Sequence, residues 1–194
     1  MDGTAPADVL AFWFGRPGEP GRGQPRREWF SQDAGFDEAI RKRFLDCIEA
    51  ALAGRLQDWA NDQAGLLALI IVLDQFPRNL FRHQAKAFAG DPAARQLAAM
   101  ALKRAWNRQC NAVERVFLYL PFEHSESLTD QEHSLTLFAA LANEHPETAD
   151  FLDYARRHHE VITRFGRFPH RNAALGRSST EAENLYLAQP GSGF

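Results

Sequence analysis

The chain has 194 residues, 45% of them hydrophobic, enough for one domain (1–194) with a substantial core. Its net charge is −3 and its pI about 6.2, which disfavours nucleic acid or a membrane surface as a general partner. Cys47 and Cys110 form no CxxC pair and read as reduced structural thiols. The opening MDGTAPADVL lacks the regions of a signal peptide. The longest apolar run, Leu66 to Leu73, is far short of the ~20 residues that span a bilayer. A cytoplasmic protein is expected.

Helical signals then follow one another. Thr4 is placed to cap a short helix through Phe14, with Pro6 in its first turn. Residues 15–27 form a Gly/Pro-rich loop without the GK[ST] of a phosphate-binding loop. A second helix is expected from Phe36 to Ala53, with Ile40, Phe44, Ile48 and Leu52 recurring every fourth residue and Gly54 as the stop. A third, Asp62 to Gln75, is apolar nearly all round and therefore central. Pro77 is expected to break it by pushing Phe76 out of the helical region.

Asp91-Pro92 opens a fourth helix, running to about Trp106. The fifth starts near Asn111, with Glu114 at capping-box spacing, and is expected to end before Pro121. Thr129 and Glu132 suggest a second capping box for a sixth helix, to about Ala142. Pro146 opens a seventh that ends at Gly166, and Thr180 with Glu183 caps a final short one. No strand alternation appears, so the expected fold is all-α: about seven helices, arranged largely as antiparallel pairs.

Three polar groupings interrupt this apolar scheme. In LDQFPRNLFR, Asp74 ends the most apolar helix, where an unpaired buried carboxylate would cost several kcal/mol. It is either exposed or paired, and Arg78, Asn79 and Arg82 follow closely. In RFGRFPHRNAALGRSST, residues 164–180, Arg164, Arg167, Arg171 and Arg177 stand with His170 and no acidic residue. The two segments echo each other: Phe76-Pro77-Arg78-Asn79 and Phe168-Pro169-His170-Arg171-Asn172 each place an Arg-Asn pair after an aromatic-proline turn. Facing turns of this kind would form an anion site, or would grip Asp74 and a second carboxylate. The third grouping is LPFEHSESLTDQ, where Glu123, His124, Ser125 and Glu126 precede a capped helix and Gln131 shares an apolar face. His158 falls within the apolar stripe of the seventh helix, either as a satisfied core histidine or as part of the same site.

Taken together, VLAFWFG, LALIIVLDQFPRNLFR, AFAGD, VFLYLPFEHSESLTDQ and FGRFPHRNAALGRSSTEAE resemble a bacterial family of unknown function described as tetratricopeptide-like helical proteins. The resemblance covers almost the whole chain. It implies an all-α stack of antiparallel helix pairs with solenoid-like curvature, and carries no reaction or catalytic residues with it.

The leading functional reading is a pocket for a small carboxylate or phosphate. Arg78, Arg167, Arg171 and Arg177 would recognise it, oriented by Asn79 and Asn172 and lined by Gln131 and His158. Acid–base chemistry there would use His124 or His170, with Glu126 or Asp74 as the orienting group. The alternative is an interaction scaffold whose arginines bind an acidic peptide or clasp the chain internally. Arginines each matched by a buried carboxylate would favour the clasp. His124, Glu126, His158 and His159 include metal-ligand types, but match neither HExxH nor paired Glu-x-x-His spacing. No metal or cofactor is expected.

Overall fold

The computed structural model describes residues 3–193, and among these there is no strand. Helix α1 is Pro6–Phe14. Its N-terminus is capped from Ala5, whose N–H donates to Asp8 Oδ2 at 2.9 Å, so Thr4 is not the cap. Helix α2, Ala34–Leu52, begins at Asp33, which accepts from the Phe36 N–H. It buries Phe36, Ile40, Phe44 and Ile48 as the fourfold spacing requires.

Helix α3, Gln63–Ile70, is capped by Asp62, and the chain is buried from residue 65 to residue 77. Pro77 does not break it. The helix widens into a π turn, Ile71–Gln75, and resumes as α4, Phe76–Leu80, with Phe76 helical at φ −58°, ψ −39°. The reason is local. Pro77 has no N–H for the Leu73 carbonyl, and its ring would press on that carbonyl in a regular helix. Widening the turn relieves the clash, and the Phe76 N–H reaches back to the Ile71 carbonyl.

Helix α5, Asp91–Lys103, follows Gly90. Helix α6, Ala112–Glu123, opens with the Asn111–Glu114 capping box and, contrary to the expected end before Pro121, continues through that proline. Helix α7, Leu128–Glu144, starts after Ser127, so Thr129 and Glu132 lie inside the helix and form no cap. Helix α8, Ala149–Phe165, stops at Gly166, whose φ of +68° suits glycine. A 3-10 turn at Pro169–Arg171 leads to α9, Glu181–Leu187, with the expected Thr180–Glu183 box.

The α3 helix packs against α1, α5 and α6, and α6, α7 and α8 pack in succession beside it. The main core joins Trp13, Trp29, Phe44, Phe76 and Phe117 through stacked and edge-to-face rings. A second, smaller apolar cluster of Val161, Ile162 and Phe168, with Phe165 and Tyr186, ties the C-terminal segment to α8. Asp74, Glu123, His158 and Arg171 are buried where the π turn, the end of α6, α8 and this segment meet.

Candidate functional site

Asp74 projects from the π turn and is completely buried. Its Oδ1 lies 2.7 Å from His124 Nδ1, at the end of α6, and its Oδ2 accepts from the Gln75 amide. Arg78, one turn on, donates to the Asp74 carbonyl at 2.6 Å and stands 3.3 Å from Oδ1. Burial alone would raise the Asp74 carboxyl, but Arg78 and His124 outweigh it and hold it well below the usual range. Asp74 therefore remains an anion and fixes His124 by its Nδ1–H. The His124 side chain keeps 13% exposure, and its Nε2 has no hydrogen-bond partner among the described residues. Burial and the Arg78 charge lower the His124 pKa, leaving a neutral ring with Nε2 as its basic nitrogen.

Arg78 also forms a two-pronged ion pair with Asp91, at 2.8 and 3.0 Å. Arg171 Nη1 reaches the same carboxylate, 3.1 Å from Oδ2. The two echoing segments thus meet on one acidic residue. An unbroken series results: Arg171, Asp91, Arg78, Asp74, His124. Asp91, read from sequence only as a helix start, is its midpoint.

The Arg171 residue is only 6% exposed, and the rings of Phe88 and Phe168 lie 4.6 and 4.4 Å from its Cζ. Neither Nε nor Nη2 donates to a protein acceptor among the described residues, and Nε is fully buried. Burial and the neighbouring Arg78 charge bring its pKa down to about 10, the sign of a cation short of compensation.

His158 Nδ1 is 2.9 Å from the Tyr154 carbonyl and 3.2 Å from Glu123 Oε1. Burial brings its pKa to about 3, so it is neutral. Glu123 is pushed the other way: burial, with the Asp74 charge, raises its carboxyl well above the usual range, and its Oε2 has no partner among the described residues. His170, beside Phe168, is brought to about 4 by burial, Arg171 and Arg78. The rings of His124 and His158 are 6.3 Å apart.

The remaining predicted residues divide by place. Arg177 makes a two-pronged pair with Glu126 at 2.7 and 2.9 Å, and Glu126 also accepts from the Phe168 N–H. Asn172 accepts from Arg177 Nε and donates to Ser179. Arg167 is paired with Glu183 at 2.6 and 2.8 Å. These contacts clasp the C-terminal segment. Gln131 donates to the carbonyls of Glu123 and Ser125, fixing the turn that carries His124. Asn79 lies apart, bonded to Asp37 with Arg82. The echo therefore converges through its arginines and not through its asparagines.

Asp91 and Glu123 are the residues to which sequence reasoning gave no role. Glu123 carried a usable signal, an acidic residue closing the apolar run VFLYLPF, as Asp74 closes LALIIVL. Asp91 carried none beyond its preference for a helix start. A cavity of about 550 Å³ lies along Arg164, Phe165 and Ala182 beside the paired Arg167 and Glu183, and one of about 390 Å³ lies along Asn107, Tyr119 and Leu141.

A family model described as a bacterial protein of unknown function, DUF924, matches residues 9–191. A solved structure of a protein of unknown function from Agrobacterium tumefaciens is 38% identical, covers 94% of this chain and 96% of its own, and superposes with a TM-score of 0.82. No curated protein matches.

Proposed function

The chain belongs to the DUF924 family of bacterial proteins of unknown function, and on that premise we propose a binding site for a small anion with acid–base chemistry at His124. One observation carries the reading: the Nε–Nη2 edge of buried Arg171 has no protein acceptor among the described residues. That edge is the one a carboxylate or phosphate engages with two parallel hydrogen bonds. Asp91, itself fixed by Arg78, holds Arg171 in place. His124, positioned by Asp74, offers Nε2 as the base, and His170 and Arg171 line the same polar region. Arg167 and Arg177 act as clasps: each has its own carboxylate, Glu183 and Glu126. The site is widest in chemical choice at its rim, where His124 and Arg78 retain exposure.

The test is a thermal-shift screen of inorganic phosphate, mono-, di- and tricarboxylates at constant ionic strength, with wild type and Arg171→Met. A ligand at ~100 times its dissociation constant stabilises by about 2.7 kcal/mol. At roughly 2–4 °C per kcal/mol this is a shift of several degrees. The expected result is a selective shift that a folded Arg171→Met protein loses. A shift retained in that variant, or none from any anion, overturns the reading.

A further inference from the structure

The cavity of about 390 Å³ lies between α6, α7 and the 3-10 turn Trp106–Gln109, and its size is within the range of small-molecule sites. It shares no residue with the series from Arg171 to His124. Helical spacing builds its two walls. Arg115 and Tyr119 are four residues apart on one face of α6, and Leu137, Leu141 and Glu144 follow one another along one face of α7. Tyr119 is 4% exposed, and its ring meets Phe138 edge to face at 5.8 Å, which fixes its direction. Its hydroxyl accepts from Asn107 Nδ2 at 3.3 Å, while its own proton has no acceptor among the described residues. A buried O–H of this kind takes its acceptor from whatever occupies the cavity.

Arg115 is held from two sides. Its Nε donates to the Asn107 carbonyl at 3.0 Å and its Nη1 to Glu144 at 2.6 Å, and its Nη2 has no acceptor among the described residues. Arg108, on the turn, lines the same cavity and forms no ion pair among the described residues. Two guanidinium groups thus face one carboxylate, that of Glu144, whose side chain is 56% exposed and ionised at neutral pH. One positive charge is left over. An inorganic anion would answer it and leave the leucines in contact with water. A neutral apolar molecule would cover the leucines and leave the charge and the Tyr119 proton unanswered. A dicarboxylate would set a second charged end against the apolar wall. We propose that this cavity binds a monocarboxylate with an apolar body, aromatic or branched aliphatic. Its carboxylate accepts from the Tyr119 O–H and Arg115 Nη2, and its body lies on Leu137, Ala140 and Leu141. The proposal is independent of the Arg171 reading.

The experiment titrates benzoate, 3-phenylpropionate and isovalerate, with inorganic phosphate, succinate and benzyl alcohol as controls, and follows backbone amide NMR signals. A monocarboxylate should move the signals of residues 107–119 and 137–144, and the three controls should bind about tenfold more weakly or less. Tyr119→Phe keeps the ring and removes the donor, and should weaken binding by about tenfold to a hundredfold, the range for a hydrogen bond to a charged group. Ala140 is exposed on α7, so Ala140→Trp fills the cavity from its rim and should abolish binding. Arg171→Met should leave it unchanged, and a ligand effect kept in that variant but lost in Ala140→Trp belongs to this cavity and not to Arg171. Signals that stay still with every monocarboxylate overturn the proposal, as does binding that survives Ala140→Trp. Equal binding of benzyl alcohol, or full affinity in Tyr119→Phe, overturns the role of the carboxylate. Equal binding of phosphate or succinate overturns the apolar body.

Discussion

Gly90 stands against the carbonyl oxygen of Leu73 so closely that a β-carbon there would lie 2.2 Å from it. This is the carbonyl that Pro77 deprives of its usual donor, and the contact seats the start of α5 on the π turn. Asp91 is thereby brought to Arg78, and through Arg78 to Asp74. Gly90→Ala should destabilise the protein by about 1–3 kcal/mol, the range for overpacking a tight contact. Its melting temperature should drop by roughly 2–4 °C per kcal/mol. An unchanged melting temperature would show that the two backbones separate freely.

Asp74 is buried and anionic between Arg78 and His124. Asp74→Asn removes the charge that both partners answer, and losing one member of a buried pair costs about 3–5 kcal/mol. Urea denaturation at pH 7 measures this. In the wild type, nitrogen-15 NMR should find the His124 proton on Nδ1 and a bare Nε2. A proton on Nε2 would refute the orienting role of Asp74.

The buried histidines make the fold acid-sensitive. His158 and His170 have folded values near 3 and 4, against about 6.5 in the unfolded chain. As pH falls below 6.5, the unfolded state takes up protons that the native state refuses, so stability declines until the folded values are passed. Glu123 acts with the opposite sign, because its folded value is raised: its contribution is largest in acid and shrinks as pH rises above its ordinary range. Glu123→Gln should therefore steepen the loss of stability between pH 6 and 5 by up to about 1.4 kcal/mol per pH unit. Denaturation curves at closely spaced pH values read this slope, and an unchanged slope would mean that Glu123 is ionised in the native state.

The clasp between Arg177 and Glu126 holds the turn that carries Arg171, since Arg177 also bonds the Phe168 carbonyl and Asn172. Arg177→Met should accelerate amide exchange across residues 166–180 while α3 and α6 keep their protection. Uniform exchange rates in the two proteins would assign the hold to the Phe165–Tyr186 cluster instead.

Most helices were legible from their apolar spacings or caps: Ile40, Phe44 and Ile48 in α2, Asn111 with Glu114, Thr180 with Glu183. Two of the misses, the helix ends expected at Pro77 and Pro121, share one cause. Pro77 and Pro121 look like stops, but tertiary packing around α3 and α6 outweighs a single missing hydrogen bond. At Pro77 the accommodation is the π turn that presents Asp74, and no local pattern announces it. The polar groupings were visible as types of residue. Their partners were not, because Asp91 with Arg171, and Glu126 with Arg177, are joined only by the folded path of the chain.

The series from Arg171 to His124 draws its members from residues 74, 78, 91, 124 and 171. During synthesis the first four emerge well before the fifth, so Asp74, Arg78, Asp91 and His124 precede the arginine that completes the series. A site spread this widely along the chain has high contact order and closes only with the last stages of folding.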